Sequence, residues 1–300
     1  MISDKKECIK KYLTEFYNNY FRLLTSENGN NFPKESLTGK ENAAIAFKFI
    51  LGHLMGRGRK DEVSSSYTTF YLTVLQIDKG LSINSINNKI VIIEEVLKTA
   101  NERKEVRKKQ KREGTENSKS KEPLFSDEEF AKKFGMDNVK YNGDSHNLNP
   151  NDIEMIHDLL TFQMSLFNSG KDNMFDFLIT ESIEKNIAEA YKHLIKIRYV
   201  GDKLASYTLR DLIFLSDKNQ QIKIEPYDYF LLFPVDTWVK KGGKKLLQWD
   251  RDKDIEPTLL KSELITLCDK YGFIEHDVLA PLKLNAGIWY DLRTEKKESQ

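Results

Sequence analysis

The chain has 300 residues, of which 39% are hydrophobic and 31% charged, a composition typical of a globular protein with a heavily charged surface. Its net charge of +1 gives no general sign of nucleic-acid binding, which would have to depend on local basic patches. Two cysteines, Cys8 and Cys268, are too few for a four-thiolate iron–sulfur cluster, and no apolar stretch approaches the roughly 20 residues of a membrane span. The first residues lack the apolar core of a signal peptide. We therefore expect a soluble cytoplasmic protein without a membrane partner, associated with the nucleoid if it is prokaryotic.

Apolar residues at helical spacing, together with a low proline content, predict helices along most of the chain. The predicted helices cover residues 4–25, 41–56, 61–75, 81–101, 126–134, 151–168, 172–181, 183–197, 204–215, 238–249 and 259–271. Residues 220–233 have a mixed pattern that fits a short strand or a loop. We expect an all-α fold that forms a single unit over residues 1–300. This unit would have two helical lobes, with both termini in one lobe and the reactive segments in the cleft between the lobes.

Residues 102–122 are strongly basic and almost free of apolar side chains. The basic residues are Arg103, Lys104, Arg107, Lys108, Lys109, Lys111 and Arg112. We interpret the segment as a solvated helix end that runs into a flexible loop. The alternative is a basic arm that contacts DNA phosphates.

A glycine turn separates the helix predicted over 183–197 from the next one. Gly201 would let the backbone approach a neighbouring group closely, and the amides at the start of the second helix could bind a phosphate without reading a base. Lys203 follows in the first turn of that helix, where the positive helix end and burial would favour the neutral, nucleophilic amine. The ordinary alternative is an exposed surface lysine.

One carboxylate stands inside the apolar run Phe233-Pro234-Val235-Asp236-Thr237-Trp238-Val239. An aspartate just before a helix is a standard N-cap, which is the simplest interpretation of Asp236. Its apolar neighbours indicate partial burial, and a capping aspartate can also be catalytic if it faces a cleft. Lys203 and Asp236 together are the equipment for cutting a glycosidic bond through an imine.

These segments resemble the helix-hairpin-helix DNA glycosylase superfamily, which includes endonuclease III and the 8-oxoguanine glycosylases. The family hairpin, Leu-Pro-Gly-Val-Gly-x-Lys, is similar to residues 197–203, although Arg198 and Tyr199 stand where the family has proline and glycine. The family's Val-Asp-Thr/Val-His-Val segment is similar to residues 235–239, and residues 47–61 parallel the helix and turn that carry a DNA-wedge residue. The spacing between lysine and aspartate is most similar to that of the archaeal-type 8-oxoguanine glycosylase/AP lyases.

The resemblance implies a mechanism and a partner. A damaged nucleotide, chiefly 8-oxoguanine, is flipped out of double-stranded DNA into a pocket. Lys203 attacks the sugar C1′ and expels the base as an imine forms, and β-elimination then nicks the strand. Asp236 stabilises the developing positive charge or assists the deprotonation of Lys203. The protein is expected to act as a monomer.

The resemblance also implies further site residues. DNA contacts are expected from Gly201, Arg57, Arg59, Lys240 and Lys241, of which the charged members could equally serve solubility. The base pocket is expected to use Trp238, Trp289 and Phe233, each of which could instead belong to the core. No cofactor is required and no iron–sulfur cluster is expected. A structural K⁺ or Na⁺ would bind the backbone carbonyls of Ile195, Ile197 and Val200.

Three alternatives to an 8-oxoguanine glycosylase stay open. The chain could excise another damaged base, or a modified base of foreign DNA. It could be a non-catalytic helix-hairpin-helix DNA-binding protein, or a purely structural helical protein in which Lys203 is a surface residue and Asp236 only a cap. Catalytic partners must share one site, whereas in the last two cases they need not.

Overall fold

The computed structural model describes residues 2–25, 37–56, 61–113, 124–136, 139, 148–179, 186–216, 223–250 and 254–298. Over these residues the protein is 78% helical and contains no β-strand. The prediction of an all-α protein is therefore confirmed. None of the described helices is long and apolar enough to cross a membrane.

The α-helices follow one another along the chain with short turns between many of them. They are α1 (Ile2–Lys11), α2 (Tyr17–Thr25), α3 (Ala43–Met55), α4 (Asp61–Val74), α5 (Ile83–Arg112), α6 (Asp127–Lys133), α7 (Pro150–Asn168), α8 (Met174–Asp176), α9 (Ile187–Ile195), α10 (Asp202–Ser216), α11 (Asp228–Leu232), α12 (Thr237–Leu247), α13 (Pro257–Lys270), α14 (Phe273–His276) and α15 (Ala280–Glu298). A π-helical segment, Tyr12–Phe16, joins α1 to α2, and 3₁₀ turns cover Lys40–Asn42 and Ile77–Lys79.

The chain divides into two compact units. Unit 1 consists of Met1–Glu35, Leu178–Leu194 and Gly201–Gln300, so the first and last segments of the chain belong to the same unit. Unit 2 consists of Ser36–Phe177 and Ile195–Val200. The turn before α10 is thus assigned to unit 2, whereas α10 itself belongs to unit 1.

Helix α15 organises the core of unit 1, where it packs against the π-helical segment and α12. A Cβ atom on Gly287 would come within 2.4 Å of the carbonyl oxygen of Tyr12, and one on Gly242 would come within 2.4 Å of Ile288. Because these distances leave no room for a side chain, glycine is what allows the three segments to approach so closely. The sequence analysis did not predict α15. Residues 279–288 are buried on almost every side, so they show no amphipathic stripe.

In unit 2, α5 packs along α7. Helix α5 starts with a capping box between Ser82 and Ser85 and continues to Arg112. Residues 102–112 are therefore helical, which extends the helix predicted over 81–101 and agrees with the solvated helix end predicted for this segment; residues 114–122, where the flexible loop is predicted, lie outside the described residues. The end of α5 is anchored, because the guanidinium of Arg103 donates two hydrogen bonds, of 2.8 and 3.0 Å, to the carboxylate of Glu129.

Two further segments differ from the predictions. Residues 220–233, predicted as a strand or loop, contain the short helix α11. The helix predicted over 172–181 begins two residues later, at α8, which is capped by the side chain of Asn173, and it continues as a π-helical turn over residues 177–179; residues 180 and 181 lie outside the described residues. Asn173 is fully buried and also donates to the carbonyl oxygens of Leu37 and Gly39, which leaves it a structural role.

Candidate active site

Helix α10 begins directly after the predicted glycine turn. Gly201 is exposed, and its carbonyl oxygen accepts the first hydrogen bonds of the helix, from the N–H groups of Leu204 and Ala205. A Cβ on Gly201 would meet no protein atom within 4 Å. Packing within the described protein therefore does not require a glycine here, and the backbone is open to an outside group.

The turn itself carries a left-handed residue. Tyr199 has φ of +65°, a conformation that normally favours glycine. The backbone of this turn therefore has a conformation of the glycine type, although the residue is a tyrosine. Tyr199 is 43% exposed, and its hydroxyl donates to Glu154.

Arg198 ties the turn to α7 within unit 2. Its guanidinium donates to Asp158 at 2.7 and 2.9 Å and to Glu154 at 2.8 Å, and its backbone N–H also donates to Asp158. Burial alone would raise the pKa of Asp158, but the hydrogen bonds from Arg198 outweigh it and hold that pKa below its ordinary value. An ion-paired side chain thus holds the turn against α7.

Lys203 is the second residue of α10 and is partly buried. Among the described residues, no hydrogen bond or ion pair engages its ammonium group. The neighbouring Asp202, by contrast, accepts a hydrogen bond of 2.6 Å from the hydroxyl of Tyr191 on α9. Lys203 is therefore the charged residue of this hairpin whose end group is left for another partner.

Asp236 is the N-cap of α12, as the simplest interpretation of its sequence predicted. It has an extended backbone, and its Oδ1 accepts from the N–H groups of Trp238 at 2.9 Å and Val239 at 2.8 Å. Its Oδ2 accepts from the hydroxyl of Tyr207 at 3.0 Å and from the indole N–H of Trp289 at 3.0 Å. The carboxylate is thus held by α10 and α15 as well as by its own helix.

Tyr207 links the two predicted catalytic residues. It lies four residues after Lys203 in α10, so both side chains are on the same face of the helix, with the lysine one turn closer to the N-terminus. Helical side chains lean toward the N-terminus, which directs Tyr207 toward the level of Lys203. Because the Tyr207 hydroxyl contacts Asp236, both predicted catalytic residues lie beside the same tyrosine in unit 1.

A buried arginine lies behind this site. Arg210 is 0% exposed, pairs with Asp211 at 2.9 Å and donates to the side-chain oxygen of Asn285 at 2.6 Å and to the hydroxyl of Tyr20. Asn285 in turn donates to the carbonyl oxygen of Pro234 at 2.8 Å. This chain of contacts fixes the segment that leads into Asp236.

The charges in the arginine cluster are balanced. Burial alone would lower the pKa of Arg210, but Asp211 and neighbouring tyrosines hold it above its ordinary value, so the guanidinium stays charged. Burial also raises the pKa of Tyr20 well above its ordinary value and keeps it a neutral phenol. Tyr20 donates to Asp211 at 2.6 Å, which completes the hydrogen bonding of this buried group.

The three aromatic residues predicted for a base pocket have separate environments. Phe233 is 0% exposed and belongs to the core cluster of unit 1, so we no longer assign it to a pocket. Trp289 binds Asp236 through its indole, and the guanidinium of Arg293 lies 4.4 Å from its ring centre. Trp238 is partly buried, and the ammonium of Lys241 lies 5.4 Å from its ring centre.

The predicted DNA-contacting cations are only partly described. Arg57 and Arg59 lie outside the described residues. Lys240 pairs with Asp254 at 3.2 Å, and Lys241 is exposed beside the ring of Trp238. Both lysines lie on α12, the helix that Asp236 caps at its N-terminus.

The carbonyls predicted to hold a monovalent cation lie in the turn before α10. The carbonyl oxygen of Ile197 already accepts the N–H of Val200 at 3.1 Å, and Ile195 is 42% exposed. One of the three predicted ligands is therefore engaged in the turn's own hydrogen bond, and the cation site stays a prediction. In the part of the chain that the structure describes, no three histidine, cysteine or acidic side chains are grouped as metal ligands.

Sequence reasoning missed Tyr207, Arg210, Tyr20 and Asn285. Spacing could have indicated the first two, because positions four and seven after Lys203 share its helix face. Tyr20 and Asn285 lie at opposite ends of the chain, and no local pattern connects them to this site.

Compared with known proteins, the chain matches no protein-family model, no curated protein sequence and no solved structure.

Proposed function

We propose that this protein is a DNA glycosylase with abasic-site lyase activity, in which Lys203 is the nucleophile and Asp236 the catalytic carboxylate. The observation that supports it most is the contact of Asp236 with Tyr207, one helical turn after Lys203 in α10. Two residues chosen for their chemistry, in separate parts of the sequence, thus lie beside the same side chain.

The proposed reaction gives Lys203 and Asp236 different roles. Lys203, without a partner among the described residues, attacks the C1′ of a flipped nucleotide, and the C1′–N bond breaks with its electron pair leaving on the base. Asp236 lies beside the positive charge that develops on the sugar and stabilises it. The attacking amine loses a proton and the C1′–O4′ bond breaks, with its electron pair and a proton going to O4′, so that an imine forms between Lys203 and C1′. Loss of a proton from C2′ then expels the 3′ phosphate by β-elimination.

The substrate and setting are part of the same proposal. We propose 8-oxoguanine in double-stranded DNA as the first substrate, and a monomeric enzyme that acts in the cytoplasm or nucleoid. Exposed Gly201 supports a backbone contact with a DNA phosphate, and Lys241 supports a second one. Other damaged bases, or modified bases of foreign DNA, are the next substrates to test.

Borohydride trapping tests the lysine assignment. Wild-type protein is incubated with duplexes that contain 8-oxoguanine, thymine glycol, uracil or an abasic site, and covalent complexes are digested to map the modified lysine. We expect a complex at Lys203 that Lys203→Gln abolishes, and a fall of about 10²- to 10³-fold in cleavage rate for Asp236→Asn.

Lys261 provides a matched control. It is also a partly buried lysine of unit 1, burial lowers its pKa, and its ammonium donates to the carbonyl oxygen of Phe230 at 2.8 Å. On chemistry alone it is a rival nucleophile. Lys261→Gln should retain trapping at Lys203. Trapping that persists in Lys203→Gln and disappears in Lys261→Gln would overturn our assignment.

A second candidate is a non-catalytic DNA-binding protein. The observation in its favour is that Asp236 is fully provided with donors inside the protein and so is also a satisfied structural cap. Binding of an abasic duplex without any trapping by wild-type protein would support this candidate.

A further inference from the structure

We infer that Tyr207 and Trp289 are positioning residues that hold the carboxylate of Asp236 in one place and orientation, ready to face the positive charge that develops on the sugar. This inference rests on the proposed function, and it adds two residues to the site that the resemblance does not supply. Neither Tyr207 nor Trp289 is required for the helix cap itself, which the backbone N–H groups of α12 complete.

The acceptor capacity of Asp236 is used up. An ionised carboxylate offers about four lone-pair positions. Oδ1 accepts two backbone N–H groups, at 2.9 and 2.8 Å, and Oδ2 accepts the Tyr207 hydroxyl and the Trp289 indole, both at 3.0 Å. A proton added to either oxygen would have to displace one of these donors.

Three of the donors cannot reverse their role. Backbone and indole N–H groups have no lone pair to offer, so they stabilise the anion and oppose the protonated acid. The fourth is the Tyr207 hydroxyl, which could in principle turn. Burial, followed by the charge of Asp236, raises the pKa of Tyr207 well above its ordinary value and so keeps it a neutral phenol able to donate.

Both donor rings are fixed by their neighbours. The guanidinium of Arg210 lies 4.7 Å from the ring centre of Tyr207, and that of Arg293 lies 4.4 Å from the ring centre of Trp289. The two rings contact each other edge-on, with centres 6.4 Å apart. The donors therefore sit on packed helices and point at the carboxylate before any substrate arrives, which is the requirement for electrostatic preorganisation.

The charged and titratable surroundings come from several helices. Besides Asp236, Tyr207 faces Arg210 from its own helix and Tyr20 from α2. Near Lys203, Asp202 is the adjacent carboxylate, and its charge also acts on Lys261 of α13. Two cations thus flank the donors of Asp236.

The consequence is an effect on one step of the reaction. Asp236 acts while the base leaves and positive charge develops on the sugar. Removing one of its donors should therefore slow base release and should leave imine formation at an abasic site, where no base leaves, unchanged.

Single-turnover base release, from the 8-oxoguanine duplex or whichever damaged-base duplex the wild type cleaves, is measured beside trapping at an abasic duplex for the wild type, Tyr207→Phe and Trp289→Phe. We expect base release to slow by about tenfold in each variant, the effect of about one lost hydrogen bond to a charged acceptor, with the rate of abasic trapping unchanged. Tyr191→Phe is the matched control, since it removes a comparable tyrosine–aspartate bond, to Asp202, and should leave both rates in place.

Each other outcome is decisive. Unchanged base release in Tyr207→Phe and Trp289→Phe overturns the positioning role, and so does an equal fall in both rates, which would show that the substitutions disturb the site as a whole. If one variant fails to fold, as judged by its thermal transition, the other still decides. A wild-type protein that traps on neither duplex overturns the proposed function, and this inference with it, before any variant is compared.

Discussion

The two sides of the candidate site are built differently. On the carboxylate side, meaning Asp236 with its donors and the arginine cluster behind it, each described charge has a partner inside unit 1. On the hairpin side, meaning residues 197–203, Arg198 is paired at the surface and Lys203 has no described partner. The proposed function uses this difference, because in covalent catalysis only the nucleophile must move onto the substrate. The described contacts hold the carboxylate of Asp236 in place and do not engage the ammonium group of Lys203.

The largest difference in the free energy of unfolding between the carboxylate side and the hairpin side is expected when Arg210 is replaced. Replacing it with methionine leaves Asp211 as a buried, uncompensated charge, and we expect a loss of about 3–5 kcal/mol in the free energy of unfolding. Arg198→Met is the matched variant on the hairpin side. That guanidinium is 45% exposed, so its loss should cost less than about 1 kcal/mol. Urea denaturation of both variants measures the difference, and equal losses would contradict the contrast.

The next largest difference in stability is expected between variants of the two proposed catalytic residues. Asp236→Ala removes an N-cap and leaves the Tyr207 hydroxyl and the Trp289 N–H without their acceptor, at an expected cost of about 2 kcal/mol. Lys203→Ala breaks no described contact, so its free energy of unfolding should stay within about 0.5 kcal/mol of the wild type. Thermal and urea unfolding compare them directly. A destabilised Lys203→Ala would show that the lysine is part of the structure.

A smaller effect is expected at the left-handed turn. Tyr199→Gly removes the strain of a positive φ, and we expect the protein to become about 0.5–1 kcal/mol more stable. Tyr199→Phe is the control, because it removes only the exposed hydrogen bond to Glu154 and should be nearly neutral. The same denaturation experiment applies, and a destabilised glycine variant would show that the ring itself holds the turn.

The smallest effect concerns acid pH. The folded pKa of Asp158 lies below its unfolded value of about 4, so its bond with Arg198 stabilises the protein above that value and is lost as the pH falls through the folded pKa. Because the pair is partly exposed, we expect a few tenths of a kcal/mol. The stability difference between the wild type and Arg198→Met should shrink between about pH 6 and about pH 3. A difference that grows toward acid pH would contradict this sign.

Local signals in the sequence predicted the starts of the two helices that carry the candidate residues. The glycine turn before α10 and the aspartate before α12 were both recognisable because a helix start has its own residue preferences. The helical spacing of α10 carried information that was not used, since Tyr207 follows Lys203 at the interval that places both on one face. Phe233 shows the limit of such reasoning, because an aromatic residue beside a catalytic candidate has the same sequence signature in a pocket or in a core.

By itself the sequence determined an all-α protein, the starts of α10 and α12, and Asp236 as a cap, since each depends on residues close together in the chain. Only the tertiary structure decided which groups hold Asp236. Tyr207 lies on α10 and Trp289 on α15, and the first half of α15 is buried so completely that it lacks the polar face by which a helix is recognised. Which side chains pack against one another depends on contacts between segments that are distant in the chain, and no pattern within one segment specifies those contacts.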